Sequence, residues 1–402
     1  MMQISRKSQQ MGLSPIRRFN EMARDAEKRG IKIYRVNIGQ PDIETPKCYM
    51  EAIRNYPNDV IAYMESGGTD DLKKAICEFY SSFGAEFEPE DVMVTSGGSE
   101  ALSMVFTTIL NEGDEVLAAD PYYSNYSTFI LSAGGQIARI PSHAEEGYHY
   151  AYRDRIEACI TPKTKAIICT SPGNPTGDVL TQEEMHMICE IAEEHDLWVI
   201  SDEVYREFVY DGAKPASFGL EKDYLDRIVI TDSISKRYSC CGGRIGLMLS
   251  KNRDIMNGVM KLAQGRLSVS TLDQAGAAAL FRLPQSYYSE IRAEYEKRRD
   301  VVYSELIKIP GVVCVKPKGS FYVTVKLPVD DIEDFLVFLL TEFSDNDETV
   351  MFAPADGFYY DSSRGKNKMR LAYVLRSEQM RRAVELIRLG LEAYERKQQA
   401  GN

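Results

Sequence analysis

Between residues 91 and 250, short β-branched and aliphatic runs alternate with helical stretches, and no other feature of the chain limits its fold as tightly. Strand-like runs at 92–95, 115–119, 165–169, 198–201, 227–231 and 245–249 are each separated by turn-forming or amphipathic segments. Parallel strands cannot be joined by tight hairpins and need crossovers of about a dozen residues, usually helical. The pattern predicts an α/β domain whose mostly parallel central sheet is flanked by helices. Thr181 opens one of those helices, running to His195, with Glu183 and Glu184 at the favourable end of its dipole.

Beyond residue 284 the pattern changes to a long helix at 285–307, a strand at 320–326, and helices at 332–343 and 377–397. A chain of 402 residues exceeds what one core usually serves. We therefore expect a large domain at 46–284, a smaller α+β domain at 285–402, and an N-terminal segment at 1–45 packing on the small domain. Ser14-Pro15-Ile16-Arg17-Arg18-Phe19 reads as a helix start in that segment. There is no internal repeat or proline-rich linker.

The formal charge of -12, from 48 basic and 60 acidic residues, argues against a nucleic-acid or anionic-membrane partner. The N-terminus lacks an apolar signal core, no apolar run is long enough to span a bilayer, and a cytoplasmic location is expected. The eight cysteines are scattered without metal-ligand spacing and read as buried free thiols. Asn125-Tyr126-Ser127 matches a glycosylation triplet, which carries no meaning without a secretory signal.

Four loops at strand ends carry chemistry, where open α/β sheets bind ligands. Ser171-Pro172-Gly173-Asn174-Pro175-Thr176-Gly177 is a stiff turn that could hold the Asn174 amide in one orientation, though it also fits an ordinary tight turn. The run at 198–201 delivers Asp202, with Tyr205 three residues on; the acid suits a cationic ring nitrogen, although taken by itself it reads more readily as a helix cap. Ser233-Ile234-Ser235-Lys236 and Gly242-Gly243-Arg244 combine an imine-forming amine with hydroxyl and guanidinium donors for a phosphate. Ser96-Gly97-Gly98-Ser99 opens a helix and offers free backbone N–H groups to an anion. No Walker A or G-x-G-x-x-G pattern occurs.

In order and spacing these loops resemble the fold-type I pyridoxal-phosphate enzymes, and the chain resembles the class I/II aminotransferases from about residue 14 to 394, the aspartate and aromatic ones most of all. Asn-Ile-Gly-Gln-Pro-Asp from Asn37, Pro-Tyr-Tyr from Pro121, Ser-Asp-Glu-Val-Tyr from Ser201 and Met-Arg-Leu-Ala-Tyr from Met369 complete the match. The resemblance implies pyridoxal 5′-phosphate as cofactor, with Lys236 as its Schiff-base lysine and proton shuttle. It implies Asp202 beside the ring nitrogen, Asn174 and Tyr205 on the ring's phenolic oxygen, and Tyr123 on the ring face. It further implies a phosphate cup of Gly98, Ser99, Ser233, Ser235 and Arg244. Arg370 is then the grip on the substrate α-carboxylate, Gly39 the small residue that lets substrate approach, and Tyr63 a reach to the phosphate of a neighbouring subunit in a homodimer. Two departures, Gly243 for a tryptophan and Ala355-Asp356-Gly357 in a looser turn, alter pocket shape and remove no chemical group.

The expected reaction is ping-pong transamination between an L-amino acid and a 2-oxo acid, with aspartate or glutamate and 2-oxoglutarate favoured. Aromatic or alanine transamination and C–S lysis are the alternatives. A transcription regulator is disfavoured, since the resemblance starts too near Met1 to leave room for a helix-turn-helix. A dicarboxylate needs a second cation, for which Arg266 is the candidate, although it could equally be a surface residue. Tyr123, Tyr322 and Phe358-Tyr359-Tyr360 suggest an aromatic pocket.

Overall fold

The computed structural model describes residues 2–12 and 18–401. The expected helix start at 14–19 falls largely on residues 14–17, outside the described ones. In chain order the strands are β1 (Lys32–Arg35), β2 (Val92–Thr95), β3 (Glu115–Asp120), β4 (Gln136–Pro141), β5 (Thr164–Thr170), β6 (Trp198–Asp202), β7 (Ile228–Ser233), β8 (Gly246–Leu249), β9 (Tyr322–Lys326), β10 (Glu348–Met351), β11 (Ala353–Pro354) and β12 (Lys368–Ala372).

The main sheet runs β2-β8-β7-β6-β5-β3-β4, and every pairing is parallel except the two made by β8. Side chains alternate across a strand, so each strand feeds two cores. Val92, Val94, Leu117, Ile167, Val199, Ile230 and Leu247 pack with the helices Asp70–Ser81, Gln182–Glu194 and Thr271–Phe281. The intervening Met93, Val116, Ile168, Ile200, Val229 and Met248 pack on the other face with Gly98–Ile109 and Arg253–Arg266. Burial on both faces explains why these strands read as continuous apolar runs.

Helix Gln182–Glu194 starts as expected: the Thr181 hydroxyl accepts from Glu184 N at 3.2 Å while the Glu184 carboxylate takes Thr181 N at 2.8 Å. The helices Gln285–Leu306 and Ile332–Thr341 lie where expected, and the last runs on to Gly401.

A third core joins β9, β12 and the helix Ile332–Thr341 to Phe19, Ala23, Tyr34 and Val36 from near the N-terminus. There β1 pairs in parallel with β10, Lys32 opposite Glu348. The helix Gln285–Leu306 contributes to this core through Ile291, Tyr295 and Val302, whereas its first turns touch the main sheet's core through Tyr288. Of the eight thiols, all free, only Cys169, Cys189 and Cys240 are buried; the other five are half-exposed, so the expectation of buried thiols holds for three. No helix among the described residues is long and apolar enough to cross a membrane.

Candidate active site

The carboxyl ends of β2, β3, β5, β6 and β7 share one edge of the sheet, and β8, running the other way, starts there. The loops that leave this edge close around a cavity of about 730 Å³. It is lined by Gly39, Gly98, Ser99, Tyr123, Asn174, Asp202, Tyr205, Ser233, Ser235, Lys236, Arg244 and Arg370. The sequence-derived site residues therefore converge, with Tyr63 and Arg266 absent from the lining.

One end of the cavity is built for an anion. Gly97 precedes the helix Gly98–Ile109 with φ +79 and no side chain caps the helix, which leaves its first N–H groups for a ligand. A Cβ on Gly246 would lie 2.2 Å from the Gly97 carbonyl carbon and 2.4 Å from Gly98 N, so only glycine lets β8 pass this close. Arg244, itself left-handed at φ 51, curls its guanidinium back to the Cys241 carbonyl at 3.1 Å. Ser233 and Ser235 complete the rim, Ser235 N donating to Ser233 Oγ at 3.3 Å.

Deeper in, the Asp202 carboxylate is buried, which raises its pKa to about 6 against the lowering pull of a Tyr126 hydroxyl. The residues after it form turns and no helix, so Asp202 is not a helix cap; its only local contact is from Val204 N at 3.4 Å. Tyr205 shares a hydrogen bond with the Tyr322 hydroxyl at 3.1 Å, and burial lifts its pKa far above the usual phenol value. Burial pushes Tyr123 up to about 12. Lys236 Nζ donates to the Gly39 carbonyl at 2.7 Å.

Arg370, 1% exposed, donates to Asn174 Oδ1 at 3.0 Å and to the Asn37 carbonyl at 2.6 Å. Its guanidinium lies 4.4 Å from the centre of the Tyr322 ring and 4.7 Å from that of Phe358, and its Nε has no partner. Burial lowers its pKa, and no carboxylate among the described residues pairs with it. Because Asn174 accepts through Oδ1, its amide NH₂ remains a donor. Gly39 lies under Tyr322, whose hydroxyl would sit 1.6 Å from any Cβ there.

A pyridoxal-phosphate-binding set needs an uncapped helix start beside a guanidinium, a buried carboxylate and an amine in one cavity, and these are the groups present. The family model for aminotransferase class I and II matches residues 31–387. The chain belongs to the class I and II aminotransferases. It is thus a pyridoxal-phosphate-dependent transaminase of fold type I. An aspartate aminotransferase of Bacillus subtilis is 32% identical over 92% of this chain and 94% of its own length. An aromatic-amino-acid aminotransferase of Thermococcus litoralis is 29% identical over 96% of this chain and 97% of its own. An alanine aminotransferase structure from Pyrococcus furiosus superposes with a TM-score of 0.89 at 30% identity, covering 97% of this chain and all of its own.

Two expected residues lie outside the cavity. Tyr63 is 80% exposed on a loop with Val60 and Ile61, also exposed. Arg266 donates to the Ser66 and Val94 carbonyls at 3.2 Å each and lies 3.4 Å from Glu100, so it is neither a free surface charge nor a cavity cation in this chain. Sequence reasoning passed over Tyr126 and Thr170, which line the cavity beside Asp202. Tyr126 belonged to a triplet set aside as meaningless, and only the spacing from the matched Tyr123 could have pointed to it.

Proposed function

We propose that this aminotransferase exchanges amino groups between aspartate or glutamate and 2-oxoglutarate, as a homodimer with composite sites in the cytoplasm. The observation that carries the site reading is Arg370, a guanidinium out of water with no carboxylate opposite it among the described residues, in the same cavity as Lys236. A buried cation without a counter-charge is costly, and its planar fork matches a substrate α-carboxylate in a bidentate pair.

When bound, the cofactor supplies a protonated ring that draws electrons from the substrate α-carbon. Asp202 keeps the ring nitrogen protonated. The Asn174 amide and Tyr205 hydroxyl hold the phenolic oxygen, and Tyr123 covers a ring face. The amides of Gly98 and Ser99, the hydroxyls of Ser233 and Ser235, and Arg244 take the phosphate. Lys236 anchors the cofactor between turnovers and moves the α-proton. Arg370 and Gly39 seat the substrate carboxylate.

The dimer reading is supported by Val60, Ile61 and Tyr63, an apolar stretch that is 61–80% exposed in the single chain and suits burial against a second copy. From that loop Tyr63 would serve the neighbouring subunit's phosphate. The free thiols suit a reducing compartment. The separate cores support division into a large domain at 46–284 and a small domain at 285–402 that takes up the segment at 1–45.

The acidic preference is supported by the aspartate aminotransferases among the relatives. A second reading, an aromatic or neutral amino acid, is favoured by the cavity's lining. Its cations are Lys236, Arg244 and Arg370, which leaves none among the described residues of this chain for a distal carboxylate. A panel of donors on purified cofactor-loaded protein decides, with 2-oxoglutarate as acceptor for aspartate, tyrosine and alanine and oxaloacetate as acceptor for glutamate, since glutamate with 2-oxoglutarate gives no net reaction. The highest kcat/KM with aspartate or glutamate supports the proposal; a preference for tyrosine or alanine moves it to the second reading. Release of ammonia and pyruvate from cysteine conjugates without an acceptor would favour C–S lysis.

A further inference from the structure

The parallel register of β5 and β6 sets Thr170 beside Asp202 at the edge of the sheet. The helix Asn125–Ser132 brings Tyr126, 1% exposed, between them. The Tyr126 hydroxyl is 2.5 Å from Asp202 Oδ2 and 2.6 Å from Thr170 Oγ1. A phenol has one proton and an ionised carboxylate can only accept, so that proton goes to Asp202. Thr170 must then donate its own proton to the Tyr126 oxygen. The result is a directed chain, Thr170 to Tyr126 to Asp202, in which each bond polarises the next.

We propose that Tyr126, backed by Thr170, is a positioning residue that keeps the Asp202 carboxylate ionised and aimed at the ring nitrogen of the bound cofactor. The proposal rests on the reading of Asp202 as that nitrogen's partner. Asp202 needs such help, because burial favours its neutral form and the remaining hydrogen bond, from Val204 N at 3.4 Å, is long. Among the other groups that face it, Asp232 on β7 opposes ionisation and Lys236 favours it, while the phenols Tyr123 and Tyr205 sit in the same cavity. Neither Tyr126 nor Thr170 touches the reacting atoms, so their influence passes through Asp202.

The test uses holoenzyme variants Tyr126→Phe, Thr170→Val and Asp202→Asn, with the doubles. Two readouts are taken besides turnover: the pH dependence of the cofactor's absorbance, and the cofactor Kd by equilibrium dialysis. Tyr126→Phe should raise the acidic pKa of the absorbance and of kcat/KM by about one unit and weaken cofactor binding roughly tenfold. Thr170→Val should move both in the same direction by less. Adding it to Tyr126→Phe should change nothing more, since it acts through the Tyr126 oxygen. In the Asp202→Asn background Tyr126→Phe should have no further effect. If Asp202→Asn is impaired while Tyr126→Phe leaves pKa and Kd unchanged, Tyr126 only packs and the proposal falls. A fully active Asp202→Asn enzyme would instead sink the Asp202 reading beneath it. Should Tyr126→Phe fail to fold, near-isosteric Thr170→Val carries the test, and an unshifted pKa and Kd there overturn the relay.

Discussion

Lys236 donates to the Gly39 carbonyl inside the cavity, whereas Arg266 commits its guanidinium to two backbone carbonyls and Glu100 outside it. Charge alone could not separate these fates in the sequence; the motif around Lys236 did, and Arg266 had none. Lys236→Ala should lose the borohydride-fixable link to the cofactor yet still retain cofactor non-covalently, because the phosphate and ring contacts remain. A reducible lysine adduct persisting in that variant, detected by peptide mass mapping, would refute the assignment. Arg266→Ala takes a donor from two carbonyls and the ion pair from Glu100, which keeps its hydrogen bond from Ser96 N, at a cost of about 1–3 kcal/mol. It should lower the unfolding midpoint and scale kcat/KM equally for aspartate, glutamate, tyrosine and alanine. A selective loss for the acidic donors would return Arg266 to the substrate site.

At the scale of elements, the loop carrying Asn174 is tethered by His149, whose ring nitrogens lie 3.1 Å from Asp178 and 2.9 Å from Glu184. Hydrogen bonding to Asp178, then to Glu184, raises the His149 pKa from 6.5 to about 10. The folded pKa exceeds the unfolded one, so the stabilisation is complete below pH 6.5 and is lost as pH rises through about 10. Urea unfolding of wild type and His149→Gln should differ by on the order of 1–2 kcal/mol at pH 6, allowing for solvent screening, and converge above pH 10. A constant difference over that range would contradict the pair. The capping box at Thr181 is a simpler case: Thr181→Ala should cost about 1 kcal/mol without touching substrate kinetics.

The strands that were legible in the sequence are those buried on both faces, such as β6 and β7. β4 was missed because it lies at the sheet edge and its Gln136-Ile137-Ala138-Arg139-Ile140-Pro141 is half-exposed. The reversal of β8 was invisible too, since antiparallel and parallel neighbours bury the same residues. The site was legible wherever a motif followed a strand. Tyr126 and Thr170 were not, because their meaning arises from the register of β5 against β6 and from a helix laid across it.

Over the whole molecule, the proposed composite sites would make assembly a condition of activity. Mixing equal amounts of an inactive Tyr63 variant with Lys236→Ala should restore about a quarter of wild-type activity, as half the dimers become mixed and each has one intact site. A fully active monomer in sedimentation would overturn this. The pairing of β1 with β10 also imposes an order in time. Lys32 meets Glu348 across 316 residues, so on the ribosome β1 emerges long before its partner exists. At about 5–20 residues per second that interval is roughly 15–60 s. The main sheet, complete at Leu249 and covered once the helix Thr271–Phe281 emerges, closes first. Nascent chains arrested before residue 348 should therefore protect the sheet from protease while residues 32–36 stay open to cleavage, which makes the earliest strand of the protein among the last to find its place.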